Sequence, residues 1–142
     1  MNAPRLFTVR EAEATLPLVR RVVSDVLAGH QRWKVLISEY ELLAAPLTAA
    51  DQEPGAVRAA REAADKEARR INRCLEELAE IGCLFKGFDA GLVDFYALRE
   101  DRLVFLCWKL DEDHIGYWHE VDAGYDGRHP LDSLMLAEPV AG

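Results

Sequence analysis

From Leu16 onward the apolar residues recur in alternating steps of three and four. Leu16, Val19, Val23, Val26, His30, Trp33, Ile37, Tyr40 and Ala44 form one continuous seam. That spacing predicts a long helix with a heptad-like face. Val22, Leu27, Leu36 and Leu43 widen the stripe, which predicts contact with more than one partner surface. A helix over 17–44 would be about 42 Å long at 1.5 Å per residue. Such a length points to a hairpin arm or to a contact between two copies. Upstream, Thr8-Val9-Arg10-Glu11 has the form of a capping box, so a helix should start there. Pro17 lacks an N–H and crowds the preceding turn, which predicts a break or kink near Thr15–Pro17.

The pattern lapses between Ala45 and Gly55, where two prolines and a glycine predict a loop. Periodicity resumes from about Ala56 to Ile81, with Val57, Ala64, Ala68, Ile71, Leu75 and Leu78 on one face. Gly82 suits the position just past a helix end, where positive φ is favoured. Two long helices joined by so short a loop should pack antiparallel as a hairpin. After Gly82 the period changes to short runs of branched and aromatic residues. Cys83–Lys86, Gly91–Phe95, Leu103–Leu110 and Ile115–Val121 read as strands separated by turn residues. The short link Asp111–Asp113 predicts an antiparallel pairing of the last two. The expected fold is therefore α+β, a long antiparallel helical hairpin followed by a small, mainly antiparallel β-sheet. One domain should span 1–142: hairpin 8–82, β module 83–130, and a tail 131–142 that is either mobile or docked on a neighbour.

Composition narrows the function classes. The chain has 142 residues, half of them hydrophobic, and a net charge of −8. Residues 1–82 carry 12 basic and 13 acidic groups, and 83–142 carry 5 and 12, so the excess of acid lies in the β module. Nucleic-acid binding needs a positive surface, and an anionic membrane does too. Neither partner is expected. The basic residues between Arg58 and Arg73 alternate with acids and read as a solvated helix face. No run is apolar enough for a signal peptide or a membrane span. The three cysteines, Cys74, Cys83 and Cys107, show no CxxC spacing, which suits a reducing cytoplasm.

Several of these segments are familiar together. Phe7-Thr8, Glu11-Ala12 and Leu16-Pro17 precede Gly91-Leu92-Val93-Asp94-Phe95. Leu106-Cys107-Trp108-Lys109-Leu110, Tyr117-Trp118-His119-Glu120 and Gly124-Tyr125-Asp126-Gly127-Arg128 follow in order. Over about residues 6–131 the chain resembles the bacterial family named domain of unknown function 2203. The resemblance implies a shared architecture and carries no activity.

The polar residues most suited to chemistry crowd the C-terminal third. Six acids, with no Lys or Arg among them, lie between Asp111 and Asp126, together with His114 and His119. Imidazole and carboxylate suit a divalent metal such as Zn, Fe or Mn. The candidate ligands are His114, His119, Glu120 and Asp122. His119 and Glu120 point to opposite faces of a regular strand, so both can ligate only if a bulge re-aims one. Asp94, inside an apolar strand, is a further candidate ligand, a partner for a histidine N–H, or the base of a metal-dependent hydrolase. A metal-free alternative uses Arg128 and His119 to anchor an anion, with Trp108 or Trp118 as a stacking wall. Cys107 and His119 could lie on neighbouring strands, but the apolar flanks of Cys107 argue for an inert thiol. His30, in the helical seam, is either a hydrogen-bonded core residue or a polar register device.

Three readings of function stay open. The first is a cytoplasmic binding or interaction module, with regulation as one use, built on the polar surface of the β module. The second is a metalloprotein, with a metal-dependent hydrolase as its narrower form, whose His/carboxylate site lies at 114–122. The third is a structural helical adaptor. The long seam also favours a homodimer, and a small molecule or another protein is the expected partner.

Overall fold

The computed structural model describes residues 4–136. Two long helices, α1 (Val9–Ala44) and α2 (Gly55–Ile81), precede five strands. These are β1 (Cys83–Gly87), β2 (Leu92–Arg99), β3 (Arg102–Lys109), β4 (Tyr117–Glu120) and β5 (His129–Pro130). A short helix α3 (Ser133–Leu136) closes the described chain. The fold is α+β, as the change of period at Gly82 predicts.

The capping box forms at the expected place. Thr8 Oγ1 accepts the Glu11 N–H at 3.0 Å, and the Glu11 carboxylate accepts the Thr8 N–H at 2.9 Å. Those bonds hold the Glu11 carboxyl below its ordinary pKa. The expected break at Pro17 does not occur, and α1 runs through it for 36 residues. Pro inside a helix costs roughly 3 kcal/mol. Here Pro17 sits on the exposed side, while Leu16, Val19, Val22 and Val23 around it are buried in the core. Their burial outweighs one missing backbone bond. Where α2 ends, beside the start of α1, Gly82 takes φ 106°, and its N–H donates to Leu78 O and Ala79 O.

The helices pack antiparallel. Arg5, just before α1, donates to the carbonyl of Ile81 at the end of α2. Midway along, a Cβ on Gly29 would lie 3.0 Å from Ile71 and 3.1 Å from the Glu67 carboxylate, so the backbones approach closely. Burial along α1 stops there. Beyond Gly29 the arm carries Trp33, Ile37 and Tyr40 half-buried, with Val35 59% and Leu42 78% exposed. His30 stacks on Phe88 at 4.2 Å and lies 6.0 Å from Trp33. It therefore joins the arm to the loop after β1.

The sheet is an antiparallel meander in chain order, β1-β2-β3-β4-β5. A two-residue turn, Glu100-Asp101, joins β2 to β3 with φ of 51° and 63°, the positive values such hairpins need. The β1–β2 connection ends at Gly91 with φ 64°, where a Cβ would lie 2.8 Å from Val23. Only glycine lets this turn seat against α1.

Alternation along the strands divides the sheet into two faces. Val93, Phe95, Ala97, Val104, Leu106, Trp108 and Trp118 belong to the core cluster with Leu16, Val19, Val23 and Leu78. That is the inner face. The register places Asp94 opposite Cys107 and Phe105 opposite His119 on the outer face.

Three boundaries differ from the sequence expectation. β2 continues four residues past Phe95, up to the Glu100-Asp101 turn. β4 pairs only from Tyr117, because the Ile115 N–H donates to the Glu13 carboxylate on α1 at 2.6 Å. The expected tail is in part structured: Met135 of α3 is buried in the core and Leu131 packs against it. Residues 137–142 of that tail lie outside the described residues.

Candidate functional site

An antiparallel sheet with helices on one side commonly leaves its other face to water. Here the outer face buries polar groups. Asp94 is 2% exposed, His119 2% and Cys107 0%. Each arrives from a different strand, β2, β4 and β3 respectively. The uninterrupted register of β2 on β3 and of β3 on β4 brings them together. The nearest ligand atoms of all three lie within 4.8 Å of one another.

His119 is held through both ring nitrogens. Its Nδ1 lies 2.8 Å from the Glu120 carbonyl and its Nε2 lies 3.1 Å from Asp94 Oδ1. A carbonyl only accepts, so Nδ1 carries a proton. Nε2 faces the Asp94 carboxyl group, so the two buried polar groups are partners to one another, which is how they tolerate burial.

Cys107 completes the cluster as a thiol. Burial, followed by the nearby Asp94 charge, pushes its pKa up to about 12. With both imidazole nitrogens engaged by other groups, Cys107 is the inert buried thiol that its apolar flanks predict.

A cleft of about 260 Å³ opens over Asp94 and His119. Phe105, Tyr125 and Gly124 contribute to its walls, and Lys86 of β1 also lines it. The Lys86 ammonium sits 5.5 Å above the Phe105 ring, and no carboxylate pairs with it among the described residues. The segment after β4 is clamped down by Arg128. Its guanidinium donates to Glu112 Oε1 at 2.7 Å and to the Cys107 carbonyl at 3.1 Å. It also lies 4.0 Å from the Tyr117 ring and 4.7 Å from the Tyr125 ring. Arg128 thus fixes one wall of the cleft from behind.

The residues expected as sites divide accordingly. His119 is at the centre. Trp108 and Trp118 lie on the inner face, away from His119 and Arg128, so they form no stacking wall. Trp108 is fully buried with its Nε1 donating to Glu112 O at 2.9 Å. Trp118 packs between Arg99 and His129, each 4.7 Å away. The expected metal set does not converge. His114 is exposed and faces Glu13 on α1 at 3.3 Å. Glu120 pairs with Arg102 at 2.6 Å, and Asp122 is exposed in the turn beyond β4. The register through β4 contains no bulge, so Glu120 stays on the face opposite His119.

Lys86, Phe105 and Tyr125 had no sequence signal as site residues. The joint role of Asp94 with Cys107 had one faint signal, an acid inside an otherwise apolar strand.

The family described as "Uncharacterized conserved protein (DUF2203)" matches residues 5–131. No curated protein and no solved structure matches the chain.

Proposed function

The chain belongs to the DUF2203 family, and we propose that it is a binding module whose working site is the cleft on the outer face of the sheet. One observation carries this reading: a buried Asp94–His119 pair borders a cleft rather than a packed interior. A buried polar pair is weak as a stabilising device, since apolar residues of similar volume often serve equally well. Its position at the floor of a concavity supports a role in recognition.

The ligand class follows from the charges. Lys86 is the one lysine or arginine among the residues that line the cleft. Phe105 supplies an apolar surface. A small anion with a flat apolar body matches these groups. The volume of about 260 Å³ lies just below that of ordinary ligand pockets, which run from roughly 300 to 1,000 Å³, so the ligand is small. The test uses benzoate and benzylamine, matched in shape and opposite in charge, titrated into labelled protein and followed by amide chemical shifts. Benzoate should perturb Lys86, Phe105 and Gly124 and bind more tightly than benzylamine. Shifts scattered over the surface, or equal effects of both probes, would sink the reading and favour the adaptor.

Two further features bear on setting and assembly. All three cysteines are free thiols, which supports a reducing compartment such as the cytoplasm. No helix among the described residues is long and apolar enough to cross a membrane. The exposed Val35 and Leu42 on the arm support a homodimer. Sedimentation should then show two copies for the natural chain and one for Leu42→Glu; a single copy for both removes the dimer.

A further inference from the structure

We infer that Asp94, Cys107 and His119 are a three-ligand site for a zinc-class divalent ion, with the fourth coordination position open to the cleft. The open fourth position rests on reading the cleft as the binding site; the ligand set does not.

The geometry is close to what such an ion requires. Zinc bonds of about 2.0–2.1 Å to nitrogen and oxygen and about 2.3 Å to sulfur, at tetrahedral angles, set an N···O edge of about 3.3 Å. The same bonds set edges to sulfur of about 3.6 Å. His119 Nε2 and Asp94 Oδ1 are 3.1 Å apart. The Cys107 sulfur lies within 4.8 Å of both, so a side-chain movement of about 1 Å closes the set.

The orientation of His119 fits as well. A metal-binding imidazole usually donates its second N–H to a carbonyl or carboxylate, which fixes the tautomer. The Nδ1–H bond to the Glu120 carbonyl does this at 2.8 Å. Nε2 is then the nitrogen with a lone pair, and it points at Asp94. An ion between them would take that lone pair and the carboxylate together.

The donor types choose the ion. Thiolate with imidazole favours zinc, cobalt or ferrous iron, and a thiolate disfavours magnesium, calcium and manganese. This narrows the ions that the histidine–carboxylate pattern suggested. Charge closes as well: the ion displaces the Cys107 thiol proton to solvent, and carboxylate and thiolate together balance a divalent cation, leaving a neutral buried centre. Three protein ligands with a vacant fourth direction is the arrangement of sites that bind a water or a substrate group. Only Asp94 and His119 of the three border the cleft, so the vacancy would face it.

Cobalt(II) is the probe, because it substitutes for zinc and is coloured. The full chain is dialysed against chelator, titrated with Co²⁺ and followed by visible and near-ultraviolet absorption. One equivalent should bind, with tetrahedral ligand-field bands and a thiolate-to-cobalt charge-transfer band, and Zn²⁺ should bleach both. Cys107→Ser should remove the charge-transfer band, and His119→Gln should weaken binding at least tenfold. Cys74→Ala and Cys83→Ala should leave the spectrum intact. Absence of the charge-transfer band in the natural chain overturns the inference without reference to any variant. A band that survives Cys107→Ser overturns it too. The benzoate titration on chelated protein reports the cleft separately. Cobalt binding without benzoate binding would keep the ligand set and remove the anion-binding reading. Benzoate binding without cobalt would do the reverse.

Discussion

The two faces of the sheet are made by alternate residues of the same strands, yet they are held by different physics. The inner face is apolar. Phe95, Leu106 and Trp108 are each fully buried against the helices, and their stability comes from surface removed from water. The outer face is also buried at its centre, but with Asp94, Cys107 and His119, whose burial is tolerable only while each polar atom keeps a partner. The inner face can be rearranged by volume. The outer face depends on register, because a one-residue slip would send His119 inward. A sheet face that hides polar groups beside a cleft, when it could simply have been solvated, is where recognition is to be sought.

The sharpest break of this contrast is on the inner side. Trp108→Ala should cost roughly 3–5 kcal/mol in urea unfolding, and a loss below about 1 kcal/mol would mean the core does not rest on that face. On the outer side Asp94→Asn should cost about 1–3 kcal/mol, because it disturbs the hydrogen bond to a buried imidazole. A double-mutant cycle with His119→Gln should show coupling of about 0.5–3 kcal/mol, and additive effects would show that the two do not act as a pair.

A third prediction uses the inner-face thiol. Burial pushes Cys83 up to about 11 from an ordinary value of 9.0. The unfolded chain therefore loses this proton first as pH rises. Its contribution is complete below about pH 8.5 and is lost by about pH 11, with a slope of at most roughly 1.4 kcal/mol per pH unit. Cys83→Ala should flatten that part of the stability curve; an unchanged slope would place the titration elsewhere. The smallest expected effect is at Lys86→Met. Stability should change by no more than about 0.5 kcal/mol, while benzoate binding weakens several-fold. A large loss of stability there would make Lys86 part of the scaffold rather than of the site.

Much of the architecture was legible in the chain. The three–four spacing from Leu16 to Ala44, the capping box at Thr8 and the glycine at 82 are local signals, and each acts within a few residues. Pro17 does not end the helix, because propensity is local and the burial of Leu16 and Val19 is not. The site was legible only in part. His119 stood out as a residue, and Asp94 as an acid in an apolar strand. Their meeting depends on the offset between three strands, which hairpin turns set and composition does not record. The acids from Asp111 to Asp126 stand out by number, yet Asp111, Glu112 and Glu120 pair with Lys109, Arg128 and Arg102, and Asp113, Asp122 and Asp126 are exposed. Lys86 and Tyr125 could not be singled out, because each is ordinary until the loop beyond β4 folds over the sheet.

The meander order also sets an assembly sequence. Strands adjacent in the chain pair without long loop closure, which makes such sheets quick to form. The two-residue Glu100-Asp101 turn should let β2 and β3 pair early, and with them Asp94 and Cys107. His119 arrives with β4, as does Trp118 of the core, and Arg128 reaches Glu112 from beyond that strand. We therefore expect the candidate cleft to be completed after the β2–β3 pair. Amide exchange should record this as early protection of Phe95 and Leu106 and late protection in β4.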